Sequence, residues 1–267
     1  MNMKIGFIGA GNMGSAIMKG IAGSSLAAQT ELYAFDPFEE KLRSLESYGV
    51  KALKNAYEVA KECKYVFLAI KPQQFGDVLP SIKDAVSKET VIVSIAAGIT
   101  AEYIRSETIS DAKVILVMPN TPLLLGTGAT ALSKIASVSD EEFDVVRHIF
   151  DSCGITAVLP TDKMKEIIAV NSSSPAFIYL FAKGFIEYAK SVDIDEKTAL
   201  PLFAQTLIGS AKMLTDSGMT IDELIKMVSS PGGTTLAGLD ALYDGKLTDV
   251  VNDACTRCTK RAYELSK

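Results

Sequence analysis

A strand-like apolar run, Lys4–Gly9, passes straight into Gly9-x-Gly11-x-x-Gly14 and then into a helical pattern over Met13–Ile21. Three glycines at this spacing restrict the fold because each meets a separate steric demand. Gly9 permits a tight turn, Gly11 lets backbone approach a pyrophosphate, and Gly14 lets the helix pack closely on the strand. The helix start then presents free N–H groups and the positive end of its dipole to an anion. Gly9, Gly11, Asn12, Met13 and Gly14 are therefore candidate dinucleotide-binding residues, provided the segment is the first βα turn of a parallel sheet.

The following residues meet that condition. Glu31–Phe35, Tyr65–Ile70, Thr90–Ile95 and Lys113–Met118 are compact, β-rich apolar runs bounded by polar or turn residues. Between them Glu39–Tyr48, Ala56–Glu62, Gln73–Val86 and Ala101–Glu107 carry helical spacing. Nearly continuous apolar strands alternating with helices imply a parallel sheet covered on both faces. Gly126–Leu132 is read as an added outer strand and Asp140–Ser152 as a closing helix. Beyond about residue 160 strand signals give way to long helical patterns. The expected fold class is α/β: an N-terminal Rossmann doubly wound parallel sheet, residues 1–160, followed by an all-α substrate-binding and dimerisation domain, residues 161–267.

Within the helical part, Pro175–Val192 is apolar on nearly every side, with Phe177, Tyr179, Leu180, Phe181, Phe185 and Ile186 distributed around it. Such a helix needs neighbours all round. A bundle of about a hundred residues is expected to share its core with a second subunit; packing against its own sheet domain is the other solution.

Asp36 ends the second strand about where a ribose-reading carboxylate is expected. A carboxylate there accepts bonds from both ribose hydroxyls and repels a 2′-phosphate, which favours NADH. Asp36-Pro37 is also an ordinary helix-starting turn, and Lys41 and Arg43 are within reach of a 2′-phosphate, so NADPH or NADH remain alternatives. Asn55, Ala69-Ile70-Lys71-Pro72, Ala96-Ala97-Gly98 and Asn120 in Pro119-Asn120-Thr121-Pro122 fall where later strands end. In an open α/β sheet those turns line one crevice, because ligands bind outside the carboxyl ends of the strands.

The net charge of −5 disfavours nucleic acid and anionic membranes as partners. No apolar run is long enough to span a membrane. Met1-Asn2-Met3-Lys4-Ile5 leads directly into a strand, which suggests no signal peptide and a cytoplasmic location. Of the four cysteines, Cys255 and Cys258 form a lone C-x-x-C in a helical pattern without a second ligand pair, so no metal site is expected. His148, the single histidine, also follows helical spacing and is not a candidate acid.

The segments Gly6-Phe7-Ile8-Gly9-x-Gly11-Asn12-Met13-Gly14, Lys71-Pro72, Ser94-Ile95-Ala96-Ala97-Gly98 and Met118-Pro119-Asn120-Thr121-Pro122 occur in order, followed by Gly209-Ser210-Ala211-Lys212-Met213 and Ser230-Pro231-Gly232-Gly233-Thr234-Thr235. Together they resemble the pyrroline-5-carboxylate reductase family over essentially the whole chain. The resemblance implies reduction of a cyclic imine, 1-pyrroline-5-carboxylate, to L-proline by NADPH or NADH, the last step of proline biosynthesis. It also implies a homodimer with interleaved helical domains and, beyond it, a decamer of dimers. The glycine loop, Asn55, Ala69–Pro72 and Ala96–Gly98 would hold cofactor. Ser230, Gly232, Gly233, Thr234 and Thr235 would hold substrate, with the Thr235 hydroxyl, the one catalytic candidate, at the imine nitrogen.

Two positions depart from the family pattern. Ser172 in Asn171-Ser172-Ser173-Ser174-Pro175-Ala176 stands where relatives usually have glycine, and Asp36 stands where some NADPH-preferring relatives have a small polar residue. The residues alone also allow the distal Pro231-Gly232-Gly233-Thr234 segment to be a loop with a threonine N-cap. A β-hydroxyacid dehydrogenase-like enzyme, with Lys183 or Lys212 as proton carrier, and a non-catalytic dinucleotide sensor are the competing functions.

Overall fold

The computed structural model describes residues 2–266; Met1, where the expected N-terminal strand approach begins, lies outside them. Two compact units divide the chain, Met1–Pro175 with Arg257–Lys267, and Ala176–Thr256.

The first unit is built on one eight-stranded sheet in the order β3-β2-β1-β4-β5-β6-β7-β8. Its strands are β1 (Met3–Ile8), β2 (Thr30–Phe35), β3 (Lys51–Ala52), β4 (Tyr65–Leu68), β5 (Val91–Ser94), β6 (Lys113–Met118), β7 (Gly128–Lys134) and β8 (Gly154–Val158). All neighbours run parallel except β6 and β7. The pleat sends alternate side chains to opposite faces. Ile5, Phe7, Tyr65 and Phe67 join one core with Phe150, and Phe7 stacks on Phe67 at 4.5 Å between ring centroids. Ile8, Val66 and Leu68 join the other core, with Phe75, Leu79 and Ile104.

Helices α1 (Asn12–Ala22) and α6 (Asp140–Asp151) supply the first core; α3 (Ala56–Glu62), α4 (Phe75–Ile82) and α5 (Ala101–Glu107) supply the second. Burial pushes the Cys63 thiol and the Tyr65 phenol up to about 12 each. Both are inert fillers of the sheet core.

Three local expectations are corrected. The run Glu39–Tyr48 is no single helix: α2 (Glu39–Arg43) stops, and a short tight turn over Glu46–Tyr48 ends at Gly49, which has φ of 77°. Gln73–Val86 likewise divides into α4 flanked by tight turns; Pro80 lies inside α4 and has no N–H to donate to the helical ladder. The added strand β7 is not outermost, because β8 pairs beyond it.

The second unit contains most of α7 (Ser174–Ser191), α8 (Glu196–Asp216), α9 (Ile221–Met227), α10 (Thr234–Asp244) and the first part of α11 (Leu247–Glu264). Phe181, Phe185 and Phe203 form its aromatic centre, with Phe185 and Phe203 stacked at 4.4 Å. Around that centre the chain leaves Tyr179, Leu180 and Leu202 more than half exposed.

Candidate functional site

The chain order in the sheet reverses at β1, whose neighbours are β2 and β4. The crevice beyond the carboxyl ends of such strands is where α/β proteins take ligands. Backbone bonds tie its edges together: Gly9 N–H donates to Phe35 O at 2.8 Å and Ala69 N–H to Ile8 O at 2.9 Å.

The three glycines sort themselves by what a side chain would strike. A Cβ on Gly9, at φ of 103°, would stand 2.4 Å from the Ala69 carbonyl oxygen; on Gly14 it would stand 2.5 Å from the Gly9 carbonyl oxygen. A Cβ on Gly11 would meet nothing within 4 Å. Close packing therefore requires the outer two, while Gly11 borders open space. That space adjoins the start of α1, where Gly11 is the N-cap and no side chain caps the free N–H groups. A loop open only at its centre, against an uncapped helix start, fits a dinucleotide pyrophosphate. Asn12 is exposed there and Met13 half-buried.

The other cofactor candidates fall into two groups. Ala69, Ile70, Lys71 and Pro72 follow β4, and Ala96, Ala97 and Gly98 follow β5, so their backbones lie at the carboxyl ends of those strands. Lys71 is exposed, and its N–H donates to Gln74 Oε1 at 3.0 Å, which fixes the turn. Side chains at Asn55, Asn120 and Asp36 are already engaged. Asn55 caps α3, its Oδ1 accepting from Glu58 N–H at 2.9 Å. The Asn120 amide is only 8% exposed and bonds to Ala129 and Asn171. Asp36 accepts from Ala10 N–H at 2.8 Å and Phe38 N–H at 3.0 Å, and it pairs with Lys41 at 3.2 Å. Sequence position alone pointed to these three polar residues; the protein's own donors and acceptors that already engage them were not visible in it.

The Ser230–Thr235 segment belongs to the helical unit. Gly232 has φ of 70°, and Gly233 N–H donates back to Ser230 O at 2.9 Å, closing a turn. The Gly233 N–H is thus engaged within the turn. Gly233, not a threonine, occupies the N-cap of α10. The threonine-cap reading therefore fails, and Thr234 and Thr235 stand in the first helical turn with exposed side chains beside unsatisfied backbone N–H groups. No group of three or more potential metal ligands occurs among the described residues.

Residues 161–265 match a family described as pyrroline-5-carboxylate reductase dimerisation, and residues 4–98 match one described as NADP oxidoreductase, coenzyme F420-dependent. A pyrroline-5-carboxylate reductase of Escherichia coli (strain K12) is 34% identical over 268 residues, spanning 100% of both chains. The crystal structure of the Plasmodium falciparum pyrroline carboxylate reductase with NADP bound superposes with a TM-score of 0.90 at 27% identity, covering 100% of this chain and 99% of that one. The reductase from Streptococcus pyogenes does so with a TM-score of 0.90 at 31% identity, covering 98% and 99%.

Proposed function

The chain belongs to the pyrroline-5-carboxylate reductase family, and on that premise we propose how its residues share the work of the reaction. It is an NAD(P)H-dependent oxidoreductase that reduces 1-pyrroline-5-carboxylate to L-proline. The single observation that carries this reading is the likeness to reductases over the full length of the chain, in sequence and in fold.

When bound, the reduced nicotinamide supplies a hydride to the imine carbon. Gly9, Gly11, Asn12, Met13 and Gly14 would hold the pyrophosphate, and the Ala69–Pro72 and Ala96–Gly98 turns would position the rest of the cofactor. Asn55 and Asn120 would support the crevice by fixing α3 and the turn after β6, while Asp36 would stand beside the adenosine ribose.

Ser230, Gly232, Gly233, Thr234 and Thr235 would take the substrate. Its carboxylate suits the first turn of α10, where unsatisfied N–H groups and the positive end of the helix dipole favour an anion. Gly233 would contribute its shape, since its N–H is committed to Ser230. The Thr235 hydroxyl would bond to the imine nitrogen and orient it. A threonine hydroxyl is too weak an acid to be the proton source, so the proton that completes the amine arrives with an already protonated iminium or by relay through that hydroxyl. Holding the ring in one orientation contributes on the order of 7–11 kcal/mol in favourable intramolecular comparisons.

The division into residues 1–160 and 161–267 follows the same reading and is supported by the dimerisation match over 161–265, although the compact units divide after Pro175 and return Arg257–Lys267 to the sheet unit. Homo-oligomerisation goes with that domain, and a decamer of dimers is the larger assembly proposed. The net charge of −5 supports the absence of nucleic-acid and anionic-membrane partners. No helix among the described residues is long and apolar enough to cross a membrane. A cytoplasmic location completes the proposal, supported by four cysteines that are all free thiols.

A steady-state assay with 1-pyrroline-5-carboxylate and each reduced cofactor tests the reading. Cofactor oxidation dependent on the imine is expected. Turnover of 3-hydroxyisobutyrate instead would point to a β-hydroxyacid dehydrogenase-like enzyme, and nucleotide binding without turnover to a dinucleotide sensor.

A further inference from the structure

A carboxylate offers about four lone-pair positions, and the protein itself fills all those of Asp36. Oδ2 accepts from Ala10 N–H at 2.8 Å and from Lys41 Nζ at 3.2 Å; Oδ1 accepts from Phe38 N–H at 3.0 Å and from Lys41 Nζ at 3.2 Å. The group is 6% exposed. Two of its three donors are backbone amides fixed by the glycine loop and by the turn into α2. Only Lys41 can swing away.

Lys41 is itself held in place. Its ammonium lies 4.5 Å from the centre of the Phe38 ring, and its side chain is 42% exposed. It lines a cleft of about 570 Å³ together with Gly11 and Asn12, two of the residues proposed above to hold the pyrophosphate. An ammonium has three N–H donors, and Asp36 occupies two. The third is not used by Asp36, and the paired carboxylate no longer acts as a bare negative charge.

Building on the nucleotide-binding reading above, we propose that Lys41, braced by Asp36 and Phe38, receives the 2′-phosphate of the cofactor's adenosine ribose. In this arrangement Asp36 clamps the glycine loop through Ala10 and does not exclude NADPH. An aspartate at the end of β2 would by itself point to NADH. Its saturation by Lys41 reverses that expectation. For NADH to gain the two ribose hydrogen bonds to Asp36, the ion pair must first open; NADPH keeps it closed and adds a charge-assisted bond. Arg43 is the neighbouring rival, but its guanidinium pairs with Glu39 Oε2 at 3.4 Å.

Calorimetric titration of the full-length protein with adenosine 2′,5′-bisphosphate and with 5′-AMP tests this directly. Neither fragment carries nicotinamide, so the result is independent of whether the chain reduces the imine, and failure of that reduction would be seen separately in the assay. The bisphosphate is expected to bind more tightly than 5′-AMP. Lys41→Met should lower bisphosphate affinity by about tenfold while 5′-AMP affinity holds or rises, since its ribose hydroxyls can then reach the freed Asp36 carboxylate, and Lys41→Arg should retain the preference. Lys41→Gln repeats the measurement should the methionine disturb α2. Asp36→Asn should weaken both fragments, since Ala10 N–H loses its charged acceptor. The proposal is overturned if the wild type shows no preference, if Lys41→Met shifts both ligands alike or neither, or if Arg43→Gln matches its effect. A gain for the bisphosphate alone in Asp36→Asn would also overturn it, by returning Asp36 to the role of excluding phosphate.

Discussion

Asn120 and Asn171 clasp each other across 51 positions of sequence. Asn120 Nδ2 donates to the Asn171 carbonyl at 3.1 Å, and Asn171 Nδ2 donates to the carbonyls of Met118 at 2.7 Å and Ala129 at 3.1 Å. The circuit closes where Ala129 N–H donates to Asn120 Oδ1 at 2.9 Å. One knot therefore fixes the end of β6, the start of β7 and the irregular helical turn over Ile168–Ser172.

Removing that knot should cost stability before it costs chemistry. Asn171→Ala takes one donor from each of the Met118 and Ala129 carbonyls, and the unfolding free energy is expected to fall by about 2 kcal/mol. Urea denaturation followed by circular dichroism measures it. A midpoint unchanged from wild type would show that solvent or neighbours satisfy those carbonyls equally well.

The glycine loop gives a paired prediction. In Gly11→Ala the methyl group meets no protein atom within 4 Å, so stability should stay within about 0.5 kcal/mol while dinucleotide affinity falls by about tenfold. In Gly9→Ala the methyl would press on the Ala69 carbonyl from a left-handed backbone, and the loss should be about 3 kcal/mol. Thermal melts with and without NADPH separate the two. Equal destabilisation in both variants contradicts the assignment of Gly11 to ligand contact.

For Thr235 the expected signature is kinetic. Thr235→Ala should lower kcat for 1-pyrroline-5-carboxylate by about tenfold, with cofactor binding unaltered, and Thr235→Ser should recover most of the rate. A wild-type kcat in the alanine variant removes this hydroxyl from the mechanism.

Acid stability should depend on Glu142. Burial pushes its carboxyl up, but hydrogen bonds from Lys113, the Ser139 backbone and Lys64 outweigh it and hold the group below its usual 4.5. Lys113 Nζ lies 2.8 Å and Lys64 Nζ 3.3 Å from Oε1. A depressed folded-state value adds stability above about pH 4.5, and that contribution disappears as pH falls through the folded value. Glu142→Gln is expected to lose about 3 kcal/mol at neutral pH and to show a flatter stability profile below pH ~4.5. Parallel profiles for the two proteins would refute this role.

Much of the sheet unit was legible because its strands are enclosed and therefore uniformly apolar. Lys113–Met118 and the helices Ala56–Glu62 and Ala101–Glu107 have the bounds read from sequence. β8 was missed because it lies at the sheet edge, where Ile155 is 72% exposed and little burial pattern forms. At the candidate site, backbone-determined features were readable from glycine spacing. Side-chain commitments were not. The partners of Asn120 are set by tertiary approach, and the saturation of Asp36 depends on Lys41 folding back across the first turn of α2.

The helical unit leaves Tyr179, Leu180 and Leu202 largely exposed. If a second copy covers that surface, mass action becomes a term in the folding equilibrium: each tenfold dilution takes about 1.4 kcal/mol from the assembled state. Melting temperature would then rise with protein concentration, and the amount of chain a cell makes would set how much of it is folded.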